Sequence, residues 1–209
     1  MPTSTASSRP ARSDPVPALI DLSAADRHRV IAAGFGTVAD AVDDWDRPAP
    51  VDGWAARDVV AHLVGWMTGF LTAGGVEVPA APALDDPPAA WRAHTEHIQA
   101  LLDEPIAQSV FSHPMVGDLR LADAIDRFYT SDVFMHTWDL AAAAGRAADL
   151  DAAFAAHLLD GMRPIDEVLR SSGQYGPAVP VADDADPVTA LVGFIGRDPA
   201  WRGPGGPAA

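Results

Sequence analysis

The stretch WAARDVVAHLVGWMTGFLTAGG, residues 54–75, indicates the type of fold. Its apolar side chains recur at helical spacing, at residues 59, 60, 63, 64, 66, 67, 70 and 71, and paired glycines provide a natural helix end. A helix that is apolar on nearly all sides has to be enclosed by other elements of the fold. The segment therefore predicts a central helix, in which His62 is a polar exception.

Further helical segments surround this one along the chain, and strand signals are nearly missing. Ser23 with Asp26 three residues later predicts a helix start, and Asp186 followed by Pro187 predicts the start of a short last helix. Pro164 predicts an interruption, because proline removes a helical hydrogen bond. Residues 105–117 are predicted as a loop. The sequence thus predicts an all-α fold with four main helices and additional C-terminal helices, at 23–45, 54–75, 89–102, 119–144, 151–170 and 186–195.

The length of 209 residues is sufficient for one well-packed domain. We expect that domain at residues 18–201, between an N-terminal arm (1–17) and a C-terminal tail (202–209), both without hydrophobic periodicity. The N-terminal residues lack the apolar segment of a secretory signal, and no run of about 18 apolar residues occurs. These features predict a cytoplasmic protein without a membrane span.

The charge and the cysteine content exclude several function classes. The net charge of -15, from 29 acidic and 14 basic residues, disfavours nucleic acids and anionic membranes as partners, since both require clustered positive charge. The chain has no cysteine, so it has no disulfide, no thiolate zinc site and no cysteine nucleophile of its own. Any bound metal therefore requires histidine and carboxylate ligands.

The segment DVFMHTWD, residues 132–139, places polar side chains where a core stripe is expected. Asp132 and His136 are four residues apart and project from one face of a helix. Together with His62 they make two imidazoles and a carboxylate, a recurrent ligand set for zinc and other divalent ions. From the residues alone a second interpretation stays open, in which Asp132 and His136 form a structural i,i+4 pair and His62 is a hydrogen-bonded core residue.

Other residues near this pattern have competing interpretations. Trp66 and Phe128 are candidates for pocket walls or for core packing, and Asp139 is a candidate partner for an imidazole or for an arginine such as Arg146. The imidazoles of the HTEH segment, residues 94–97, have a spacing that a metal can share, but their polar neighbours favour a solvated face. His28, near a helix start, is predicted to be exposed.

Three segments, taken in order, resemble one known family. They are WAARDVVAHLVGWM (54–67), DVFMHTWDLAAAAGR (132–146) and YGPAVPVADDADPVTALVGFIGRDPAW (175–201). They are similar to actinobacterial metal-binding proteins related to the N-terminal domain of mycothiol-dependent maleylpyruvate isomerase, within the DinB-like superfamily. The resemblance implies a four-helix bundle with up-down-down-up topology.

The resemblance also implies a metal centre. A histidine of the second helix and an acid-x-x-x-His pair of a later helix bind one divalent ion in that family, which corresponds to His62, Asp132 and His136 here. The ion is usually zinc, with nickel or another metal as alternatives. Relatives more often carry glutamate at the acidic position, so Asp132 is a departure that shortens the side chain by one methylene.

The function implied is metal-dependent thiol chemistry. In the family the ion activates a low-molecular-weight thiol such as mycothiol for transfer or addition to a small electrophile, so the partners expected are a thiol and an electrophilic substrate. The isomerase has a further C-terminal domain for which the chain after Gly145 is too short, so the isomerase activity itself does not carry over. Two alternatives remain: a non-catalytic metal-binding sensor or stress-related binding protein, and a structural bundle without metal. A homodimer is an alternative to a monomer.

Overall fold

The computed structural model describes residues 17–203 of the chain. The predicted arm (1–17) and tail (202–209) lie outside this range, except for Pro17, Arg202 and Gly203. The described part is mostly helical, with one small antiparallel sheet. The α-helices are α1 (Ala24–Ala39), α2 (Ala56–Ala73), α3 (Pro87–Asp103), α4 (residues 121–143), α5 (Ala152–Met162), α6 (Asp166–Ser171) and α7 (Pro187–Phe194).

Short polar side chains begin several of these helices. The Ser23 side chain accepts a hydrogen bond from the backbone N–H of Asp26 at 3.1 Å, and Asp186 accepts from the N–H groups of residues 188 and 189 at 3.0 and 3.1 Å. Such caps satisfy N–H groups that have no partner within the helix. Both predicted starts are confirmed. The interruption predicted at Pro164 is present as the 3-10 turn Arg163–Ile165 between α5 and α6.

The four longest helices enclose the core. Helix α1 packs against α3 and α4, α2 packs against the same two helices, and α5 packs against α7. Most apolar side chains of α2 are buried, as its sequence predicted, and those of Trp66 and Phe70 are partly buried. The largest fully buried apolar side chains include Phe35, Leu63, Met67, Leu71, Trp91, Ile98, Leu121, Ile125 and Leu140. Within residues 17–203, no helix is both long enough and apolar enough to cross a membrane.

A β-hairpin occupies part of the segment predicted as a loop and also residues 119–120, which were predicted to begin the fourth helix. Strands β1 (Val110–His113) and β2 (Gly117–Arg120) pair antiparallel, with Phe111 opposite Leu119. Strand β1 has one buried side chain, that of Phe111, so the sequence carries too little alternation to indicate a strand. The Phe111 ring packs so closely on Gly74 that a Cβ there would lie 2.0 Å from it. Tertiary packing therefore stabilises the hairpin.

Helix α4 has an internal change of helix type. A first turn, Leu121–Ala124, leads into the π-helical segment Ile125–Thr130 and then into a regular α-helix, Ser131–Ala143. A π-helical turn holds more residues than an α-helical one and rotates the following residues around the axis. As a result Tyr129 is fully buried, whereas Phe128, which a regular helix would direct inward, is partly exposed.

Candidate metal centre

The three predicted ligands come together between two helices. His62 lies in the middle of α2, and Asp132 and His136 lie in α4 directly after its π-helical segment. Because α2 and α4 pack against each other, the helical spacing within α4 directs both of its side chains toward His62. The structure thus joins the residues that the sequence singled out separately.

The Asp132 carboxylate lies between the two imidazoles. His62 Nε2 is 3.2 Å from Asp132 Oδ2, and His136 Nε2 is 3.5 Å from Asp132 Oδ1. One ligand atom from each of the three residues lies within 4.8 Å of the other two. Among the residues described, no other group of three or more His, Cys, Asp or Glu side chains meets this criterion. The cluster can hold a metal ion.

The cluster is open on one side. The His62 side chain is 31% exposed, that of Asp132 17% and that of His136 8%. Exposure therefore increases from α4 toward α2, and solvent or a small molecule can approach from the His62 side. Three protein ligands with an accessible fourth position are typical of catalytic zinc sites, whereas structural zinc sites are closed by four protein ligands.

A buried acid and an arginine fix the orientation of His136. Its Nδ1 lies 2.8 Å from Oδ2 of Asp139, which is fully buried. Arg197, which follows α7, donates from Nε and Nη2 to the two Asp139 oxygens, each at 3.1 Å. Since a carboxylate held by a guanidinium accepts hydrogen bonds, His136 donates from Nδ1 and directs Nε2 toward Asp132 and the open side.

Two indoles border the cluster. Trp66 donates from Nε1 to Asp132 Oδ2 at 2.9 Å. The Trp54 ring centre lies 5.1 Å from that of His62 and 5.8 Å from that of His136, nearly parallel to the latter. Trp66 is thus a wall of the site, which is one of its two interpretations from the sequence. Phe128 instead contacts Phe70 at 5.7 Å, away from the ligands.

The charges in the cluster complement each other. Burial raises the pKa of Asp132, but attraction to His136 and hydrogen bonds from His62 and Trp66 outweigh burial and bring the pKa below its ordinary value. Burial lowers the pKa of His136, but the carboxylates of Asp132 and Asp139 outweigh burial and bring the pKa above its ordinary value. The carboxylate is therefore ionised at neutral pH, the form in which it binds a cation.

An open surface cavity has Trp54 in its lining. It has a volume of about 610 Å³ and is lined by residues of the 46–55 loop, by Asp58 and by Trp201 and Gly203. Its charged lining residues are all aspartates. Trp54 therefore contacts both imidazoles of the cluster and is also one of the residues that line this cavity.

The sequence does not identify two of the residues that complete the site. Trp54 stands out there only as the first residue of a helical segment, and Arg197 only as part of the C-terminal motif. Asp139, a candidate partner for an imidazole or for an arginine such as Arg146, contacts one of each: the imidazole of His136 and the guanidinium of Arg197. Local sequence carries no signal for the arginine, because it is 58 residues from Asp139 along the chain.

The remaining predicted histidines lie elsewhere and are more buried than expected. His94 and His28 are buried and His97 is partly buried, so the predictions of a solvated face and of an exposed His28 were wrong. The physical reason is the packing of α1 against α3 and α4, which encloses both imidazoles despite their polar sequence neighbours.

Two proteins of Mycobacterium tuberculosis, both named as uncharacterized, are similar to this chain. They are Rv0738 of strain ATCC 25618 / H37Rv and MT0763 of strain CDC 1551 / Oshkosh. Each is 30% identical over 163 residues, which cover 74% of this chain and 86% of the relative. No protein-family model and no solved structure matches the chain at a significant level. The similarity thus extends over most of both sequences.

Proposed function

This chain belongs to the same protein family as the two mycobacterial proteins, and we propose that it binds one divalent metal ion through His62, Asp132 and His136. The observation that carries the proposal is the convergence of two imidazoles, from different helices, on one largely buried carboxylate. Zinc fits this donor set best, because it accepts nitrogen and carboxylate oxygen ligands in a tetrahedral site with one position open.

The separations in the cluster are compatible with a metal ion, and the number of converging groups favours a metal over a structural ion pair. Two ligands of a tetrahedral zinc ion with bonds of about 2.0–2.1 Å lie roughly 3.3 Å apart. The two imidazole nitrogens lie 3.2 and 3.5 Å from the Asp132 oxygens. A structural ion pair with Asp132 requires only one imidazole, that of His136. Here a second imidazole, that of His62, comes from α2, and Asp139 orients the His136 ring. The Asp139 contact holds the proton of neutral His136 on Nδ1 and leaves the Nε2 lone pair of that ring for a cation.

We further propose that the fold is the DinB-like four-helix bundle with up-down-down-up topology. The mutual packing of α1 and α2 against α3 and α4 is the contact pattern of four helices around one core, and it supports this assignment. The β-hairpin and the C-terminal helices would then be additions to the bundle.

The chemistry we propose is transfer or isomerisation with a small thiol, such as mycothiol, acting on a small electrophile. A bound divalent ion lowers the pKa of a coordinated thiol and keeps it as a nucleophilic thiolate at neutral pH. The chain supplies no sulfhydryl of its own, since it contains no cysteine. In this scheme Trp54 and Trp66 shield the ligands from water, and Asp139 with Arg197 holds the His136 ring in place.

Metal content tests the binding proposal. We expect about one equivalent of zinc in protein purified without a histidine tag, and less than about 0.1 equivalent in His62→Ala, Asp132→Ala and His136→Ala. His157→Ala is the matched control, because this imidazole is exposed on α5, and it should keep the metal. A wild-type protein below about 0.1 equivalent after incubation with zinc would favour the structural bundle instead.

Thiol binding tests the chemistry separately. The zinc-loaded protein is titrated with mycothiol in a calorimeter and then incubated with a panel of electrophiles, with adducts read by mass spectrometry. We expect thiol binding in the wild type and its loss in His136→Ala. A protein that keeps its metal but binds no thiol and forms no adduct would favour the non-catalytic metal-binding sensor.

A further inference from the structure

A second group of polar side chains is buried behind the metal centre, between α1, α3 and α4. His28, His94, Tyr129 and Thr130 are 1%, 5%, 0% and 0% exposed. Tyr129 is central in this group: its ring centre lies 6.1 Å from that of His28, stacked, and 5.7 Å from that of His94, edge to face. These four residues form what we call the inner polar cluster.

Each member of the inner polar cluster has an enclosed polar atom without a hydrogen-bond partner among the described residues. The atoms are His28 Nε2, His94 Nε2, Tyr129 Oη and Thr130 Oγ1. Buried polar atoms in folded proteins are nearly always hydrogen-bonded, to protein or to ordered water, because an unpaired one is strongly destabilising. Each of these four atoms, contributed by three helices, therefore requires a hydrogen-bond partner.

The hydrogen bonds of Gln99 determine what His28 can accept. The Gln99 amide nitrogen donates to the Ala25 carbonyl at 3.2 Å and to Asp103 at 3.0 Å, so its oxygen is the group that faces His28 Nδ1 at 2.9 Å. The Nδ1 atom must then carry the proton and donate. Consequently Nε2 of neutral His28 has a free lone pair and needs a donor.

All members of the cluster are uncharged at neutral pH. Burial lowers the pKa of His28 and, with the nearby imidazoles of His97 and His28, lowers the pKa of His94 to about 4. Burial together with the Asp132 charge holds the pKa of Tyr129 well above its ordinary value. An ionic ligand would find no opposite charge here, whereas a neutral molecule that both donates and accepts hydrogen bonds matches the set.

We propose that the inner polar cluster is a binding site for ordered water, hydrogen-bonded to His28 Nε2, Tyr129 Oη and their neighbours. Such a water donates to the lone pair of His28 and accepts from the Tyr129 hydroxyl. It fixes the Tyr129 ring, which also contacts the Trp66 ring, with the two ring centres 5.8 Å apart. Because Trp66 donates to Asp132, the water supports the position of that carboxylate from behind.

A crystal structure at a resolution that shows ordered water tests the site directly, with the protein both metal-free and zinc-loaded. We expect water within hydrogen-bond distance of His28 Nε2 and Tyr129 Oη in both forms, so the outcome is separate from that of the metal centre. Direct pairing of the four atoms without water would overturn the proposal. An anomalous signal from a metal at this position would overturn it as well.

Thermal denaturation gives a second readout in solution. Tyr129→Phe removes the hydroxyl and keeps the ring, and we expect its Tm to fall by about 2–4 °C. The matched control is Tyr175→Phe. Tyr175 is the other tyrosine of the chain, and its hydroxyl is not among the enclosed polar atoms without a partner. The Tm of this variant should stay within about 1 °C of wild type. A Tyr129→Phe protein as stable as wild type would contradict the proposal.

If the variant does not fold, long-range ¹H–¹⁵N spectra of the wild-type protein provide the test. The proposal requires that Nε2 of His28 is the unprotonated nitrogen and that it accepts a hydrogen bond.

Discussion

Asp139→Asn tests whether the buried carboxylate both stabilises the fold and orients the proposed metal ligand His136. The Asp139 carboxylate is fully buried and receives two hydrogen bonds from Arg197, whose side chain is 12% exposed. Asparagine has nearly the same shape but no charge, so the guanidinium would be left without its anion. Removing one partner of a buried ion pair costs about 3–5 kcal/mol. For a protein of this size we expect Tm to fall by about 6–20 °C.

The same substitution should also weaken metal binding. The asparagine side chain of the variant can present its amide nitrogen to His136 Nδ1, and the hydrogen bond that fixes the ring and its tautomer is then lost. Removal of such a partner of a metal-bound histidine lowers metal affinity roughly 10–100-fold. Tm is measured on metal-free protein, and zinc affinity is measured by competition with a chromophoric chelator at fixed pH, so the two effects are separated.

The matched control is Asp160→Asn, at an exposed pair in which Asp160 lies 3.5 Å from Arg163. Exposed pairs contribute little, so its free energy of unfolding should stay within about 0.5 kcal/mol of wild type. If Asp139→Asn lowers Tm but leaves zinc affinity unchanged, Asp139 stabilises the fold without orienting the ligand. If neither quantity changes, the reasoning about the buried Asp139–Arg197 pair is wrong.

Two further predictions concern packing and pH. Gly74→Ala should destabilise the protein by about 1–3 kcal/mol in urea denaturation, because the added Cβ would overlap the ring of Phe111. The control is Gly69→Ala, in open space on α2, which should stabilise the protein by roughly 0.5–1 kcal/mol. Equal effects of the two substitutions would refute the close contact. Burial and the neighbouring imidazoles hold the pKa of His94 at about 4 in the folded protein, whereas the unfolded chain protonates this residue near pH 6.5. As pH falls from 6.5 toward 4, the free energy of unfolding of the metal-free protein should therefore decrease by up to about 3 kcal/mol. His94→Gln should lack this part of the pH dependence, and identical pH profiles would contradict the prediction.

Sequence by itself determined roughly where the main helices lie and which residues are the candidate ligands. Helix starts at Ser23 and Asp186 depend on side chains that bond to N–H groups two or three residues away, so local sequence suffices for them. The joint orientation of Asp132 and His136 follows from helix geometry. His62 was recognisable because a polar residue interrupted an apolar helix.

Tertiary structure alone decided how these parts are completed. The partner of Asp139 is Arg197, the wall above the imidazoles is Trp54, and the hairpin is held by the contact of Phe111 with Gly74. The inward rotation of Tyr129 depends on the π-helical segment. Each of these features is a contact between residues far apart in the chain or a response of the backbone to packing. Local propensity carries no signal for such contacts, because their free energy exists only after the helices have packed.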